Sequence, residues 1–283
     1  MQGRIRIVLS LAVSMLSHSL FAQWTTNTLI NTPVCQANGK QIDLRMMEDG
    51  HRGTYIAWKD YRPSNGLPDI YVQHIDSAGV AQWTSKGVVI CDESHDQSTP
   101  AIITDMRGGA IIAWSDWRSN IERDIYAQRI NASGVVQWTV NGANVTNLSE
   151  REHSEKMVSD GKGGAIIVFE KQSAGIWDIW AQHLDSSGNK MWGAGGIAVT
   201  TVSGYRRNHK VQKDNNGGAI IAWQDLRNGV DYDIYAQRID GSGNLLWGPA
   251  AKAICTASGD QINAKIESDS ALNGAYIGWQ DTR

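Results

Sequence analysis

An all-β fold made of stacked copies of one unit is predicted by three observations. One motif returns about every 55 residues, a period that belongs to repeat architectures. Its clearest copy runs Gly217-Gly218-Ala219-Ile220-Ile221-Ala222-Trp223, then Asp233-Ile234-Tyr235-Ala236-Gln237-Arg238-Ile239-Asp240, then Gly243 and Trp247. Runs of about five residues rich in Ile, Val, Tyr and Trp, separated by Gly-containing turns, read as strands and hairpins. After residue 22 no stretch sustains a helical apolar period. A unit of four short strands at this length is too short for a sandwich domain and suits the blade of a β-propeller. The expected fold is a propeller of four-stranded antiparallel blades.

In chain order, Arg4 and Arg6 precede an apolar run from Ile7 to Leu16 and a close on Leu20-Phe21-Ala22. That order is a secretory signal peptide, so residues 1–22 are expected to be removed and the protein to be secreted, cell-surface or periplasmic. The run is too short to span a bilayer, and no later segment is apolar for long enough. Residues 23–283 are expected to form the propeller, with units spanning roughly 24–76, 83–131, 138–185, 192–240 and 247–283.

In the second unit the strands are expected at Ala101–Thr104, Ala110–Trp114, Asp124–Ile130 and Val135–Trp138. Turns such as Asp240-Gly241-Ser242-Gly243 place an Asp where it folds back on the backbone and a Gly where φ turns positive. Trp83, Trp138, Trp192 and Trp247 recur at one position and are expected to fill the wedge between blades. The Asp and Gln of Asp-Ile-x-x-Gln, such as Asp124 and Gln128, recur in four copies and are expected to cap a strand and bridge to a neighbouring blade. The sequence stops at Arg283 after two strands of the fifth unit, giving about 4.75 blades. Ring closure is therefore expected to need a strand from elsewhere, in a protein continuing beyond this sequence.

Net charge is −3 with both signs scattered, which excludes the basic stripe of a nucleic-acid binder. Cys35, Cys91 and Cys255 share one position of the unit, a full unit apart, so no disulfide framework is expected. Metal-ligand spacings are absent, as are nucleophile-elbow and zinc-protease motifs, so no metal, cofactor or catalytic residue is assigned.

The hairpin Ile-Tyr-Ala-Gln-Arg-Ile-Asp-x-x-Gly-x-x-x-Trp resembles the third-to-fourth strand hairpin of quinoprotein-like, PQQ-type propeller repeats, with an Asp-to-Gly gap one residue shorter. It is also similar to repeats of exported bacterial proteins. The resemblance covers nearly all of 24–283 and implies the propeller architecture. A quinone-dependent dehydrogenase is the activity it implies, without a recognisable cofactor pocket.

Binding residues are expected on the longer loops, after the second strand and between blades. Trp-x-Asp-x-Arg recurs there, with Asp116 and Arg118, Asp225 and Arg227. The third copy loses Trp, Asp and Arg together, as a structural brace would. The inter-blade loops vary and offer Tyr205, Arg206, Arg207, His209, Glu150, His153, His95 and Asp96 as ligand-binding candidates. Arg206, Arg207 and His209 are expected to be exposed. The reading from sequence is a non-catalytic exported binding or scaffold module for an extracellular glycan or protein. Its alternative is a propeller-fold glycoside hydrolase or lyase.

Overall fold

The computed structural model describes residues 32–63, 65–146, 148–269 and 274–283. The expected signal peptide and Trp24 lie outside the described residues. The structure is a β-propeller, and among the described residues it has no helix. The first blade comprises β1 (Gln41–Glu48), β2 (Thr54–Asp60), β3 (Asp69–Ile75) and β4 (Val88–Cys91). The second has β5 (Gln97–Thr104), β6 (Ala110–Asp116), β7 (Asp124–Ile130) and β8 (Ala143–Asn144). The third has β9 (Arg151–Ser159), β10 (Ala165–Ser173), β11 (Ile176–Leu184) and β12 (Ile197–Ala198). The fourth has β13 (Arg206–Lys213), β14 (Ala219–Asp225), β15 (Asp233–Ile239) and β16 (Lys252–Cys255). A fifth sheet pairs β17 (Gln261–Asp269) with β18 (Gly274–Asp281). Strand order within each sheet is sequential and antiparallel.

The fourth strand corrects the sequence reading. Val135–Trp138 makes one isolated bridge, Ile130 to Val136, and the ladder resumes only at Ala143–Asn144. The cause is Gln128. Its amide donates to Thr139 O at 2.7 Å and its oxygen accepts from Trp138 N at 2.8 Å, holding the chain out as a pinned loop. Gln73, Gln182 and Gln237 do the same. The expected bridge from this Gln to a neighbouring blade is therefore wrong, because its bonds stay within its own blade.

The tryptophan on that loop makes the link between blades. Trp83, Trp138 and Trp192 donate Nε1–H to Ala132, Ser186 and Gly241 in the next blade. Gly188 has φ +83, and a Cβ there would stand 2.9 Å from the Trp138 ring, so glycine is required on both counts. In blades one to four the second strand is buried on both faces, which is why β6 is apolar instead of alternating. Blades two and three share a core of Ile103, Ile111, Met157, Ile167 and Phe169, and equivalent cores join the other neighbours.

First strands are the innermost. Each carries a register shift at a residue with positive φ: Asp43, Thr99, Ser154, Asn208 and Asn263. Bulges re-aim the residues that follow. Here they turn those residues toward a central channel. No described helix is long and apolar enough to cross a membrane.

Candidate functional site

The channel has a cavity of about 710 Å³ lined by all five first strands. Because the unit recurs, a residue near this channel that departs from the repeat is not one the shared fold demands.

Blades one, two and four carry the same brace, and in the fifth sheet Arg283 likewise pairs with Asp281 at 2.8 Å. Trp114 Nε1 donates to Asp116 at 2.8 Å, and Arg118 donates to the same carboxylate at 2.6 Å. The guanidinium lies 3.6 Å from the Tyr126 ring centroid. Trp58, Asp60, Arg62 and Tyr71 repeat this, as do Trp223, Asp225, Arg227 and Tyr235. The cysteine position belongs to it: Arg118 approaches Cys91 Sγ at 3.4 Å, and all three thiols are free.

Blade three replaces every part. Phe169 stands for Trp, Lys171 for Asp, and the Lys171 ammonium takes the place over the Trp180 ring, at 3.7 Å. Glu152 stands where Gln41, Gln97 and Gln261 occur, and it is fully buried. Thr146 Oγ1 lies 2.5 and 2.6 Å from its two oxygens. One hydroxyl proton serves one of those contacts, so the second calls for a proton on the carboxyl. Burial accordingly pushes Glu152 up to about 7, against the Thr146 bond.

On the other face of blade three an ionisable cluster forms at the boundary with blade four. Glu170, 2% exposed, accepts from Asn208 N–H at 2.7 Å and from Arg207 Nε at 3.3 Å. His209 Nδ1 is 3.7 Å from it and His153 Nδ1 3.9 Å. Burial alone would raise this carboxyl, yet the His209 and His153 rings and the Asn208 N–H hold it at about 2. Burial pushes His153 and His209 below the ordinary histidine range, with Glu170 opposing. The cluster thus sets a carboxylate and a guanidinium beside two imidazoles whose charged form burial disfavours and Glu170 favours. His209 Nε2 lies 3.1 Å from Val168 O, which only accepts, so that nitrogen carries the proton. His153 packs at 4.3 Å on Trp177, and Arg207 lies 5.4 Å from the same ring.

Ser154 Oγ is 2.6 Å from His153 Nδ1. A nucleophile relay needs serine and carboxylate on opposite ring nitrogens, and here both address Nδ1. The positive φ of Ser154 recurs in every blade, so it belongs to the fold and not to a reaction.

The structure thus gathers His153, Tyr205, Arg207 and His209 near one boundary. Tyr205 and Glu170 keep Arg207 charged against its burial. Arg206 and His209 are buried, correcting their expected exposure. Arg206 is held by Asp225 at 2.9 Å and Asp178 at 2.8 Å. Glu150 stands apart, paired with Lys171 at 3.5 Å. His95 and Asp96 lie elsewhere, in a cleft of about 520 Å³ between blades one and two, with Trp117 and Arg123. Asp96 there meets Lys59 and Arg123, each at 3.7 Å. Glu170 and Trp177 escaped the sequence reading, because Glu170 sits beside the missing Asp and read as part of the loss. Among the described residues, no group of three or more His, Cys, Asp or Glu is placed to hold a metal ion.

No protein-family model and no curated protein matches the chain. Solved structures do. An endo-arabinase of Bacteroides thetaiotaomicron is 17% identical over 87% of this chain and 90% of its own, with a TM-score of 0.46. An α-L-arabinofuranosidase of Fusarium graminearum is 11% identical over 87% of this chain and 78% of its own, with a TM-score of 0.49. An ulvan lyase, solved with a glucuronate and 3-sulfated rhamnose chain, is 10% identical over 81% of this chain and 60% of its own, at 0.50. The shared feature is the fold. The quinoprotein-like resemblance finds no support in these comparisons.

Proposed function

We propose that the protein takes a polysaccharide at the channel mouth beside blades three and four and cleaves it, as the hydrolase-or-lyase reading holds, in place of acting as a passive scaffold. One observation carries this: blade three departs from the repeat, and at its boundary with blade four the departure sets His153, which lines the channel, beside Glu170, Arg207 and His209. Replacement of the brace on the Glu152 and Lys171 side does not account for the imidazoles and guanidinium gathered around Glu170 on the other face. Propellers that cleave polysaccharides, the ulvan lyase among them, provide a fold in which such a site is at home.

Hydrolysis by paired carboxylates needs two of them facing one substrate. Glu152 pairs with Lys171 and His153 with Glu170, so Glu152 and Glu170 point to opposite faces of blade three. Glu155 and Glu267 also line the channel, but Thr99 and Ser115 hold Glu155 and Gln212 holds Glu267, so we assign proton transfer to His153, which lines the channel and whose charged form burial disfavours. Arg207, its side chain 41% exposed, is the contact for substrate oxygen atoms.

The test is incubation with a panel of neutral and acidic polysaccharides, reading new reducing ends and the ultraviolet absorbance of unsaturated sugar ends. Fragment release lost in His153→Ala supports the reading. Binding on a glycan array without any cleavage returns the scaffold reading, and neither binding nor cleavage rejects both.

A further inference from the structure

The residue two places beyond each positive-φ bulge pairs with Ala57, Ala113, Val168, Ala222 or Gly278 on the second strand. Those five residues are Arg45, Ala101, Lys156, Lys210 and Lys265, and all line the channel. Four of the five are cations at one level of one pore. The repeat does not demand them, since Ala101 fills the same place.

Among the described residues none of these four cations takes part in an ion pair, whereas Arg62, Arg118, Arg206 and Arg227 all do. Lys156 and Lys210 reach only backbone carbonyls, at 3.1 and 3.3 Å. Counting all lining residues, the channel has six cationic side chains, Arg45, Arg123, Arg151, Lys156, Lys210 and Lys265, against Glu155 and Glu267. Glu155 is buried and bonded to Thr99 and Ser115, and burial raises its pKa, so it neutralises less than a surface carboxylate. A chain of net charge −3 thus gathers positive charge in its pore. Burial and the charges of Lys156 and Lys265 together lower the Lys210 pKa, so the collar repels itself when empty.

We infer that Arg45, Lys156, Lys210 and Lys265 form an anion collar that selects an acidic polysaccharide, one bearing carboxylate or sulfate groups. This rests on the polysaccharide reading above and names its substrate class. A sugar chain fits a cavity of about 710 Å³, and its spaced anions meet cations that, among the described residues, bond at most backbone carbonyls and share no ion pair.

Binding is measured by calorimetry at several salt concentrations, with polygalacturonate, dextran sulfate, neutral dextran and a DNA oligonucleotide as probes. The expected result is binding of one or both acidic polysaccharides, weakened by salt, and none of dextran. A preference between polygalacturonate and dextran sulfate separates carboxylate from sulfate recognition. The double variant Lys210→Met, Lys265→Met should weaken binding at least about tenfold, the loss of one good charge-assisted contact. Its melting temperature should stay level or rise, because like charges have been removed. An acidic polysaccharide that binds the variant as tightly as the parent overturns the collar. If dextran is bound and the acidic chains are not, the collar fails while the polysaccharide reading stands. If DNA binds and no polysaccharide does, the collar survives as an anion site, but the polysaccharide assignment falls.

Discussion

Glu152→Gln restores the residue that the first, second and fifth units carry at this position, and it should stabilise the protein in alkali. The folded carboxyl titrates at about 7 against an ordinary 4.5, with burial the dominant cause. The folded value is the higher one. Its contribution is therefore full below pH 4.5 and is lost as pH rises through about 7. At ~1.4 kcal/mol per tenfold, ionising Glu152 in the folded chain costs about 3 kcal/mol more than in the unfolded chain. The side chain is fully buried, so solvent screening does little to reduce this. Urea unfolding of parent and variant at pH 5 and pH 8.5 isolates the effect, because every other titrating group is common to both. Part of this is already lost at pH 5, so the variant should gain about 2–3 kcal/mol on the parent between the two pH values. The Thr146 hydroxyl can still donate to the Gln oxygen, which keeps the pH 5 comparison near level. A difference between variant and parent that does not change with pH would refute the reasoning, since it would show that Glu152 ionises freely where it sits.

Trp138→Ala should cost ~3–5 kcal/mol, the range for deleting a buried aromatic, and the half-buried Trp247→Ala clearly less; equal losses by chemical denaturation would remove the wedge role of the ring. Asp116→Ala and Arg118→Ala should each lower the melting temperature, and the double variant should lose less than the sum, a coupling of ~1–3 kcal/mol in a double-mutant cycle. Strict additivity would mean that the 2.6 Å pair is not a unit. Arg207→Ala should leave the melting temperature within a few degrees while abolishing polysaccharide cleavage, whereas Arg206→Ala should lower the melting temperature sharply, because it strands Asp225 and Asp178.

The period was enough to read the propeller, because hairpin turns and doubly buried second strands leave marks in consecutive residues. The Trp-Asp-Arg brace was visible for the same reason, with its three parts spanning five positions. Contacts between units were harder. Gln128 and Trp138 recur equally regularly, and nothing in the sequence says which of them reaches the next blade. The collar was hidden for a plainer reason. Lys156, Lys210 and Lys265 lie about 55 residues apart and read as scattered surface charge until the bulge in each first strand aligns them. Aligning the units on Asp43, Thr99, Ser154, Asn208 and Asn263 would have shown the column. Burial of Arg206 and His209 had no signature of its own, because the polar side chains that receive them come from other strands.

The tryptophan link has a direction. Each of blades one to three offers an indole donor forward, and each of blades two to four a turn carbonyl, beside a glycine, to the blade behind. Concatenation is therefore self-consistent only in whole units. A duplication or deletion running from one such Trp to the next adds or removes a donor together with an acceptor and leaves every other junction matched. A change of any other length orphans an indole on one side and an unfilled wedge on the other. Steps of one blade are thus the changes in length that leave these linked junctions matched.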